Sequence, residues 1–491
     1  MSTAEPAPTY QPEGLSSVRA LANQAFSRAA GAPLITGNRI RLLKDASDNY
    51  PAWLDAIRAA QRHIHFESYI IHDDETGRMF ADALVAKARE GVRVRLIYDW
   101  VGGLGTASRG FWKTLSAGGV EVRCYNPAHW DSPFGWLSRD HRKTLCVDGE
   151  IGFVSGLCVG RMWTGDPAKG VEPWRDTGIE VCGAAVAQLE EAFATIWAII
   201  GEPIPADDLV QPDASTPQGD AAVRVVASTP TTGGMIRVDQ LVAALAKKRL
   251  WLTDAYYAGM TSYVQALRSA AQDGVDVRLL VPNATDMLLL RPLSRAGYRT
   301  LLEGGVRIFE WNGRMLHAKT AVADGRWARV GSTNLNIASW YGNCEMDVVV
   351  EDEPFAQSME AMFLADLENA SEIVLDAARK VRAPHQPRHP HRVLRRGGGS
   401  SGRAAAGAVR IANVVGAAFT NRRVIQPVEA RITVGAGALL LSLAILFALF
   451  PRVIAYPLVL LFVWIGTALF VQGYKLHRAR VKRRLATKTQ P

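Results

Sequence analysis

The 491-residue chain has few cysteines, and their spacing matches no metal-binding motif. Their number is odd, and several lie in apolar runs typical of strands; they are Cys124, Cys146, Cys158, Cys182 and Cys344. Neither a disulfide framework nor a cysteine-rich zinc site is therefore expected. We interpret the five as buried thiols of a protein that works in a reducing compartment.

The N-terminus lacks the basic start and the long apolar run of a signal peptide. Residues 1–14 are rich in Pro, Thr and Ala, which predicts a loose tail. Residues 15–30 carry apolar side chains at helical spacing. The sequence therefore predicts an N-terminal tail and helix over 1–32, with the helix lying against the catalytic body or against a membrane surface.

The chain also lacks a large excess of one charge. Its formal net charge of +9 is a moderate basic excess for this length. Such an excess suits an anionic membrane and a nucleic acid equally well, so charge alone does not choose between these partners.

Two stretches carry the same motif, in which His-x-Lys is followed after four residues by Asp. The motif residues are His141, Lys143 and Asp148 in the first copy, and His317, Lys319 and Asp324 in the second. Histidine and lysine are two residues apart, so on a strand they project from one face. An imidazole beside an ammonium group is costly in a core, but it suits a site that holds a phosphate. Each Asp is followed by glycine, which predicts a tight turn between two strands.

A longer internal repeat surrounds the two motifs. Residues 249–281 run through the same order of strand and helix patterns as residues 64–98. The alternation predicts a duplicated α/β sandwich with a largely parallel central sheet and pseudo-two-fold symmetry. We expect a first half over 33–205, a linker over 206–219 and a second half over 220–378, with the two motif strands meeting at the axis.

The composition changes after residue 378. Residues 379–427 are rich in Pro, His, Arg and Gly, which predicts a flexible basic linker. Residues 428–474 contain two uncharged apolar stretches, each close to the ~20 residues that span a bilayer core. The sequence thus predicts a transmembrane helical hairpin, with a buried pair of soluble helices as the alternative. A basic tail over 475–491 and basic residues before the pair place both ends of the hairpin in the cytoplasm.

Three segments carry a family resemblance. They are Arg139-Asp140-His141-Arg142-Lys143, Pro173-Trp174-Arg175-Asp176-Thr177, and His317-Ala318-Lys319 with Gly331-Ser332-Thr333-Asn334-Leu335. Together they resemble the phospholipase D superfamily, and within it the bacterial cardiolipin synthases. The resemblance covers roughly residues 33–370 and implies one active site built from both halves. One departure is Ser155-Gly156-Leu157-Cys158, where cardiolipin synthases usually have Gly-Gly-Leu-Asn.

The resemblance also implies roles for these residues. One histidine attacks phosphorus and the other protonates the leaving alkoxide; superfamily likeness favours His141 as the nucleophile and His317 as the acid. Lys143 and Lys319 would neutralise the phosphate oxygens, with hydrogen bonds from the polar segment of the second copy. The residues of that segment expected to support the phosphate are Ser332 and Asn334.

Each histidine also needs a partner on its other ring nitrogen. We expect Glu345 to be the partner of His317, and Asp176 to be the partner of His141. Asp148 and Asp324 belong to the motif, but they lie at the turns. We expect them to fix the hairpins rather than to transfer protons.

These observations predict a membrane-anchored phosphatidyltransferase of the cardiolipin synthase type, acting on anionic phospholipids without a cofactor, a metal or a nucleic-acid partner. The reaction would convert two phosphatidylglycerol molecules to cardiolipin and glycerol through a phosphohistidine. The expected location is the bacterial inner membrane, with the catalytic body on the cytoplasmic side. A phospholipase D-type hydrolase, with water as the acceptor, is the alternative. The identity of the second lipid and the oligomeric state stay open.

Overall fold

The structure is a computed structural model of the chain. It describes residues 13–128, 137–209, 217–230, 232–283, 290–375, 381–382, 438 and 441–486. The linker predicted over 379–427 lies almost wholly outside these ranges, as does the start of the tail predicted over 1–32.

The first half follows the N-terminal helix α1 (Glu13–Ala30). Its elements are β1 (Ile35–Lys44), α2 (Asp45–Ala59), β2 (His63–Ser68), α3 (Glu75–Arg89), β3 (Arg93–Asp99), α4 (Trp100–Gly103), α5 (Arg109–Ala117), β4 (Glu121–Tyr125), β5 (Arg139–Asp140), β6 (Lys143–Val147), β7 (Ile151–Ser155), α6 (Arg161–Thr164), β8 (Thr177–Cys182) and α7 (Ala185–Ile199).

The second half repeats this plan, with additions at its C-terminal end. Its elements are β9 (Ala221–Ser228), α8 (Gly234–Leu245), β10 (Arg249–Thr253), α9 (Thr261–Gln272), β11 (Asp276–Pro282), α10 (Leu290–Glu303), β12 (Arg307–Trp311), β13 (Thr320–Ala323), β14 (Trp327–Gly331), α11 (Ile337–Tyr341), β15 (Asn343–Glu351), α12 (Glu353–Glu368), β16 (Ala370–Leu375) and β17 (Val381–Arg382). A further helix, α13, spans Pro451–Ala486.

The two halves have the same strand order. The first sheet runs β4-β3-β2-β6-β7-β8-β1, and the second runs β12-β11-β10-β13-β14-β15-β9. In each, the first three strands are parallel and the later pairings are antiparallel. The prediction of a largely parallel sheet was therefore wrong in this respect. The motif strands return through tight turns, and tight turns can join only antiparallel neighbours.

The sheets meet through β1 and β9, which pair antiparallel, and through a shared core. This core contains α7, α12 and side chains from strands of both sheets. The other side of each sheet packs on helices of its own half: α2, α3 and α5 on the first, and α8, α9 and α10 on the second. The motif hairpins, β6–β7 and β13–β14, thus lie inside sheets that are covered on both faces.

The N-terminal helix lies against the second half, which was one of the two predicted positions. Phe26 and Ala29 pack on the core that contains α8 and α9. Arg224, fully buried on β9, donates to the Ser27 hydroxyl at 2.6 Å and to the Ala32 carbonyl at 3.3 Å. Packing and hydrogen bonds together hold α1 on the catalytic body.

Among the described residues, none of the helices combines the length and the apolar character needed to cross a membrane. The first of the two predicted spans, Ile432 to Phe450, falls partly outside these residues. The second, Val453 to Gln472, lies within α13.

Candidate active site

Each motif histidine is held by the backbone of the other half. The short strand β5 pairs parallel with the start of β15, and the His141 N–H donates to the Cys344 carbonyl at 2.9 Å. In the same way, the His317 N–H donates to the Arg175 carbonyl at 2.7 Å. Arg175 and Cys344 occupy equivalent places, just before β8 and at the start of β15. Two symmetric bridges therefore bring the motifs into one site.

Arg175 and Cys344 are each followed in the sequence by a carboxylate residue. Each of these carboxylates contacts the same histidine as the carbonyl before it. Glu345 Oε2 lies 2.9 Å from His141 Nδ1, and Asp176 Oδ2 lies 2.7 Å from His317 Nδ1. Both carboxylates were predicted as partners, but the assignment within each half was wrong. The exchange arises because the bridging strands cross between the halves, so the carboxylate nearest in space belongs to the other copy.

Each carboxylate has its own support. Glu345 accepts hydrogen bonds from the Ser332 hydroxyl at 2.6 Å and from Asn343 Nδ2 at 3.2 Å. Asp176 accepts from the Trp163 indole N–H at 3.1 Å. Burial alone would raise the pKa of either carboxyl, but the facing histidine and lysine outweigh it and hold both pKa values below their ordinary range. Both groups are therefore ionised at neutral pH.

Ser332 and Gly156 occupy equivalent positions, so the two halves have different residues beside their carboxylates. A Cβ atom on Gly156 would lie only 2.1 Å from Asp176 Oδ1. Glycine is thus needed beside Asp176, whereas serine fits beside Glu345 and donates to it. Ser332 was predicted to support the phosphate, but in this structure its hydroxyl donates to the Glu345 carboxylate.

The two motif lysines are buried beside the histidines, at 2% and 1% exposure for Lys143 and Lys319. Each ammonium donates to the carbonyl of its own histidine, and Lys319 Nζ also lies 2.9 Å from His317 Nδ1. Burial, with a further contribution from Lys143, lowers the pKa of Lys319 to about 8. Two partly desolvated cations side by side form a strong site for an anion.

Both histidines are neutral at pH 7 in the substrate-free site. Burial is the main cause that lowers the pKa of His141 to about 4 and that of His317 to about 3, and in both cases the two lysines lower it further while the facing carboxylate opposes the shift. Each lysine thus acts on the histidine of the other half. A bound phosphodiester would offset the lysine charges and raise both histidine pKa values.

Aromatic rings line the site unevenly. Around His317, the ring centroids of Trp163, Trp174 and Tyr256 lie 5.8, 5.5 and 5.8 Å away. Beside His141 the Tyr69 ring lies 4.9 Å away, and Lys143 Nζ is 5.2 Å from the same ring. Sequence reasoning missed Trp163, Tyr69 and Tyr256 as site residues. Trp174 was noticed only because it adjoins Asp176.

Asp148 and Asp324 are not brought to the histidines. Each lies at the far end of its motif strand in a turn with positive φ, 55° and 53°. The Asp148 carboxylate accepts from the backbone N–H groups of residues 61–63, and that of Asp324 from residues 247–249. Burial would raise their pKa values, but these three backbone bonds contribute to lowering them. The two aspartates tie each motif hairpin to the start of the neighbouring strand, as the turn position suggested.

The predicted phosphate contact Asn334 is buried at the end of the second polar segment. Its Nδ2 lies 3.5 Å from the Ser339 hydroxyl, and its Oδ1 has no hydrogen-bond partner among the residues that the structure describes. Cys158 takes the equivalent place in the first half, where the Tyr50 hydroxyl donates to its carbonyl at 2.7 Å. Burial raises the pKa of the Cys158 thiol, although both motif lysines oppose this. The site therefore has one amide and one neutral thiol at symmetric positions.

Comparison with known proteins agrees with this geometry. A family model described as "Cardiolipin synthase, PLD-like domain" matches residues 53–162 and 242–367, which include both motifs. The cardiolipin synthase of Alkalihalophilus pseudofirmus is 32% identical over 345 residues, covering 70% of this chain and 68% of that protein. The chain belongs to this family. Cardiolipin synthase A of Pseudomonas aeruginosa is 34% identical over 368 residues, covering 74% of each chain.

A solved structure supports the fold. Phosphatidylserine synthase of Haemophilus influenzae covers 80% of this chain and 98% of its own, with a TM-score of 0.59 and 14% identity. At this identity the likeness concerns the phospholipase D-like architecture alone. The family membership rests on the more similar cardiolipin synthases.

Proposed function

We propose that this chain is a phosphatidyltransferase that joins two phosphatidylglycerol molecules into cardiolipin and releases glycerol. The observation that carries the proposal is the pairing of two neutral histidines, each held at Nδ1 by a carboxylate from the other half. Nδ1–H donation to a carboxylate leaves Nε2 with a free lone pair. Two such nitrogens in one site suit a reaction that forms and then breaks a phosphorus–nitrogen bond.

In the first step, His141 Nε2 attacks the phosphorus of phosphatidylglycerol. The bound phosphodiester raises the pKa of His317, which therefore enters this step protonated. The bond from phosphorus to the headgroup glycerol oxygen breaks, and His317 gives its proton to that oxygen. The products are a phosphatidyl group on His141 and free glycerol. Glu345 stabilises the positive charge that develops on the His141 ring, because it accepts the Nδ1 hydrogen.

In the second step, His317 acts as a base. It takes the proton from the headgroup hydroxyl of a second phosphatidylglycerol, whose oxygen attacks phosphorus as the bond to His141 Nε2 breaks. The product is cardiolipin, and His317 is again protonated for the next turnover. Lys143 and Lys319 stabilise the added negative charge on the phosphate oxygens in both transition states.

The aromatic rings near His317 favour a lipid alcohol over water as the acceptor. Trp163, Trp174 and Tyr256 surround the group that activates the acceptor. Apolar walls reduce the water available there, and exclusion of water is how an active site suppresses hydrolysis of a reactive intermediate. The transferase is therefore preferred to the hydrolase with the same two histidines.

The reaction can be tested with the full chain purified in detergent. With phosphatidylglycerol as the sole lipid, we expect equal amounts of glycerol and of a four-chain lipid, measured by an enzymatic glycerol assay and lipid mass spectrometry. The His141→Ala/His317→Ala double variant, purified in parallel, is the blank. Phosphatidic acid as the only lipid product would overturn the transferase and support the hydrolase.

We further propose that the C-terminal segment anchors the catalytic body to the cytoplasmic face of the bacterial inner membrane. Support comes from the two uncharged stretches within residues 428–474 and from the basic residues on both outer sides. On the part of α13 that the structure describes, large apolar side chains such as Leu460 and Phe470 are 70% and 78% exposed. Exposed apolar side chains of this size suit a lipid environment.

A chain that ends at Gln426 tests the anchor. Since it lacks both apolar stretches, it should leave the integral membrane fraction when membranes are washed with alkaline carbonate, whereas the full chain should stay. Its basic linker would still give a salt-sensitive attachment to anionic lipid. Carbonate-resistant attachment of the shortened chain would contradict the anchor.

A further inference from the structure

A second cluster of reactive side chains lies inside the first half, away from the phosphate site. His63 and His65 are the first and third residues of β2, so they project from the same face of the sheet. Glu190 faces them from the covering helix α7. One ligand atom from each of the three lies within 4.8 Å of the others, and all three residues are buried. Sequence reasoning did not single out these residues.

The hydrogen bonds in the structure leave some polar atoms of this cluster without a partner. His63 Nε2 lies 2.5 Å from Glu190 Oε1, and His65 Nδ1 lies 3.6 Å from the same oxygen, beyond hydrogen-bond distance. Within the described part of the chain, His65 Nδ1 and Glu190 Oε2 have no hydrogen-bond partner, although these residues are fully buried. Buried polar atoms are rarely left without a partner in native proteins. Two unpartnered atoms that share one small space point to a missing ligand.

We propose that His63, His65 and Glu190 hold a divalent metal ion of the zinc class. Imidazole nitrogen and carboxylate oxygen are ordinary zinc ligands, and a closed, fully buried set of donors is typical of a structural site. The second carboxylate oxygen of Glu190, Oε2, is a candidate for the fourth position.

Metal binding at His65 Nδ1 would change one neighbouring contact. Arg95 Nη1 lies 3.4 Å from His65 Nε2. A metal on Nδ1 puts the hydrogen on Nε2, so Arg95 would turn fully to Asp208, which it already contacts at 3.0 Å.

The second half has no histidines at the equivalent positions, and its contacts there provide a comparison. The first and third residues of β10 are Arg249 and Trp251. Arg249 pairs with Glu360 of α12 at 3.2 Å, and the Trp251 ring stacks on Phe363 at 5.3 Å. The first half makes the same two contacts, between His63 and Glu190 and between the stacked rings of His65 and Phe193, whose centroids are 4.7 Å apart. Because Arg249 and Trp251 make them in the second half, histidine is not the only residue type that can hold the helix here.

A metal ion at this site would stabilise the first motif without taking part in the reaction. The His63 N–H donates to the Asp148 carboxylate at 2.9 Å, and Asp148 ends the strand that carries Lys143. A metal joining β2 to α7 would fix this turn. It would take no part in phosphoryl transfer, so this inference stands independently of the proposed reaction.

Metal content provides the test. The full chain is expressed in medium with added zinc and purified in detergent without a chelator. It should contain about one zinc ion per chain, measured by inductively coupled plasma mass spectrometry. His63→Arg should contain none above background, since it copies the arginine–glutamate pair of the second half and should keep the fold. The linker variant His385→Ala/His389→Ala/His391→Ala controls for adventitious binding and should keep its zinc.

Two results would overturn the proposal. One is wild-type protein without stoichiometric zinc; the other is zinc that persists in His63→Arg but is lost from the linker variant. Should His63→Arg fail to fold, cobalt-loaded wild-type protein gives an independent reading. A buried four-coordinate site should show the intense visible absorption of tetrahedral cobalt. The weak absorption of six-coordinate, hydrated cobalt would contradict it.

Discussion

Replacing either His141 or His317 with alanine should lower the rate of cardiolipin formation by about 10⁴-fold or more, while the protein remains folded. The nucleophile and the proton donor act on the same bond, so losing either one removes most of the catalysis, and losing both adds little. Steady-state rates with radiolabelled phosphatidylglycerol would measure the loss, and circular dichroism with thermal unfolding would check the fold. A single variant that retains more than a tenth of the wild-type rate would contradict the two-histidine mechanism.

Rates alone cannot assign the two roles, but trapping can. A phosphatidyl ester of p-nitrophenol has a leaving group that departs without a proton. With this substrate, His317→Ala should still transfer the phosphatidyl group to His141, and the adduct should persist because no base activates the acceptor. Acid-labile phosphohistidine, located by mass spectrometry after quenching without acid, should appear at His141. An adduct on His317 in the His141→Ala protein, and none in the reciprocal variant, would reverse the assignment.

Local pattern was enough to predict the motifs and their turns. The Asp–Gly turns and the repeated order of elements follow from residues close together in the sequence. The prediction that the motif histidines lie on strands was wrong, since His141 and His317 lie just before β6 and β13. The repeat appears as the same seven-strand order in both halves. The two-residue spacing predicted that each lysine lies beside its histidine, but it did not predict that both lysines are buried.

Contacts between the halves could not be predicted in the same way. Glu345 and His141 are 204 residues apart, and Asp176 and His317 are 141 apart. Which carboxylate serves which histidine depends on two short parallel bridges between the halves. No local pattern marks these bridges, so each histidine was assigned the carboxylate that follows the polar segment of its own half, and this assignment was wrong. The aromatic wall around His317 escaped notice for the same reason, since Trp163 and Tyr256 come from different halves.

Because each histidine is paired with a carboxylate of the other half, the two carboxylate variants should have different effects in trapping. Pairing within each half would predict the opposite effects. Glu345→Gln should lower turnover by roughly 10²- to 10⁴-fold and should resemble His141→Ala in trapping, with no adduct. A glutamine amide can donate to Nδ1 and thereby favour the tautomer with hydrogen on Nε2. That tautomer has no lone pair with which to attack phosphorus.

Asp176→Asn should lower turnover to a similar extent but should resemble His317→Ala in trapping. His141 keeps its carboxylate, so the p-nitrophenyl substrate should still load it, and the adduct should decay slowly because the base is in the wrong tautomer. Glu310→Gln is a matched control: it alters a buried carboxylate on β12 that is paired with Arg295 of α10, and it should leave both readouts near wild type. If Asp176→Asn blocks loading while Glu345→Gln accumulates the adduct, then either the carboxylates serve the histidines of their own halves or the two histidines have exchanged roles. The His→Ala trapping decides between these, because it assigns the nucleophile without reference to either carboxylate.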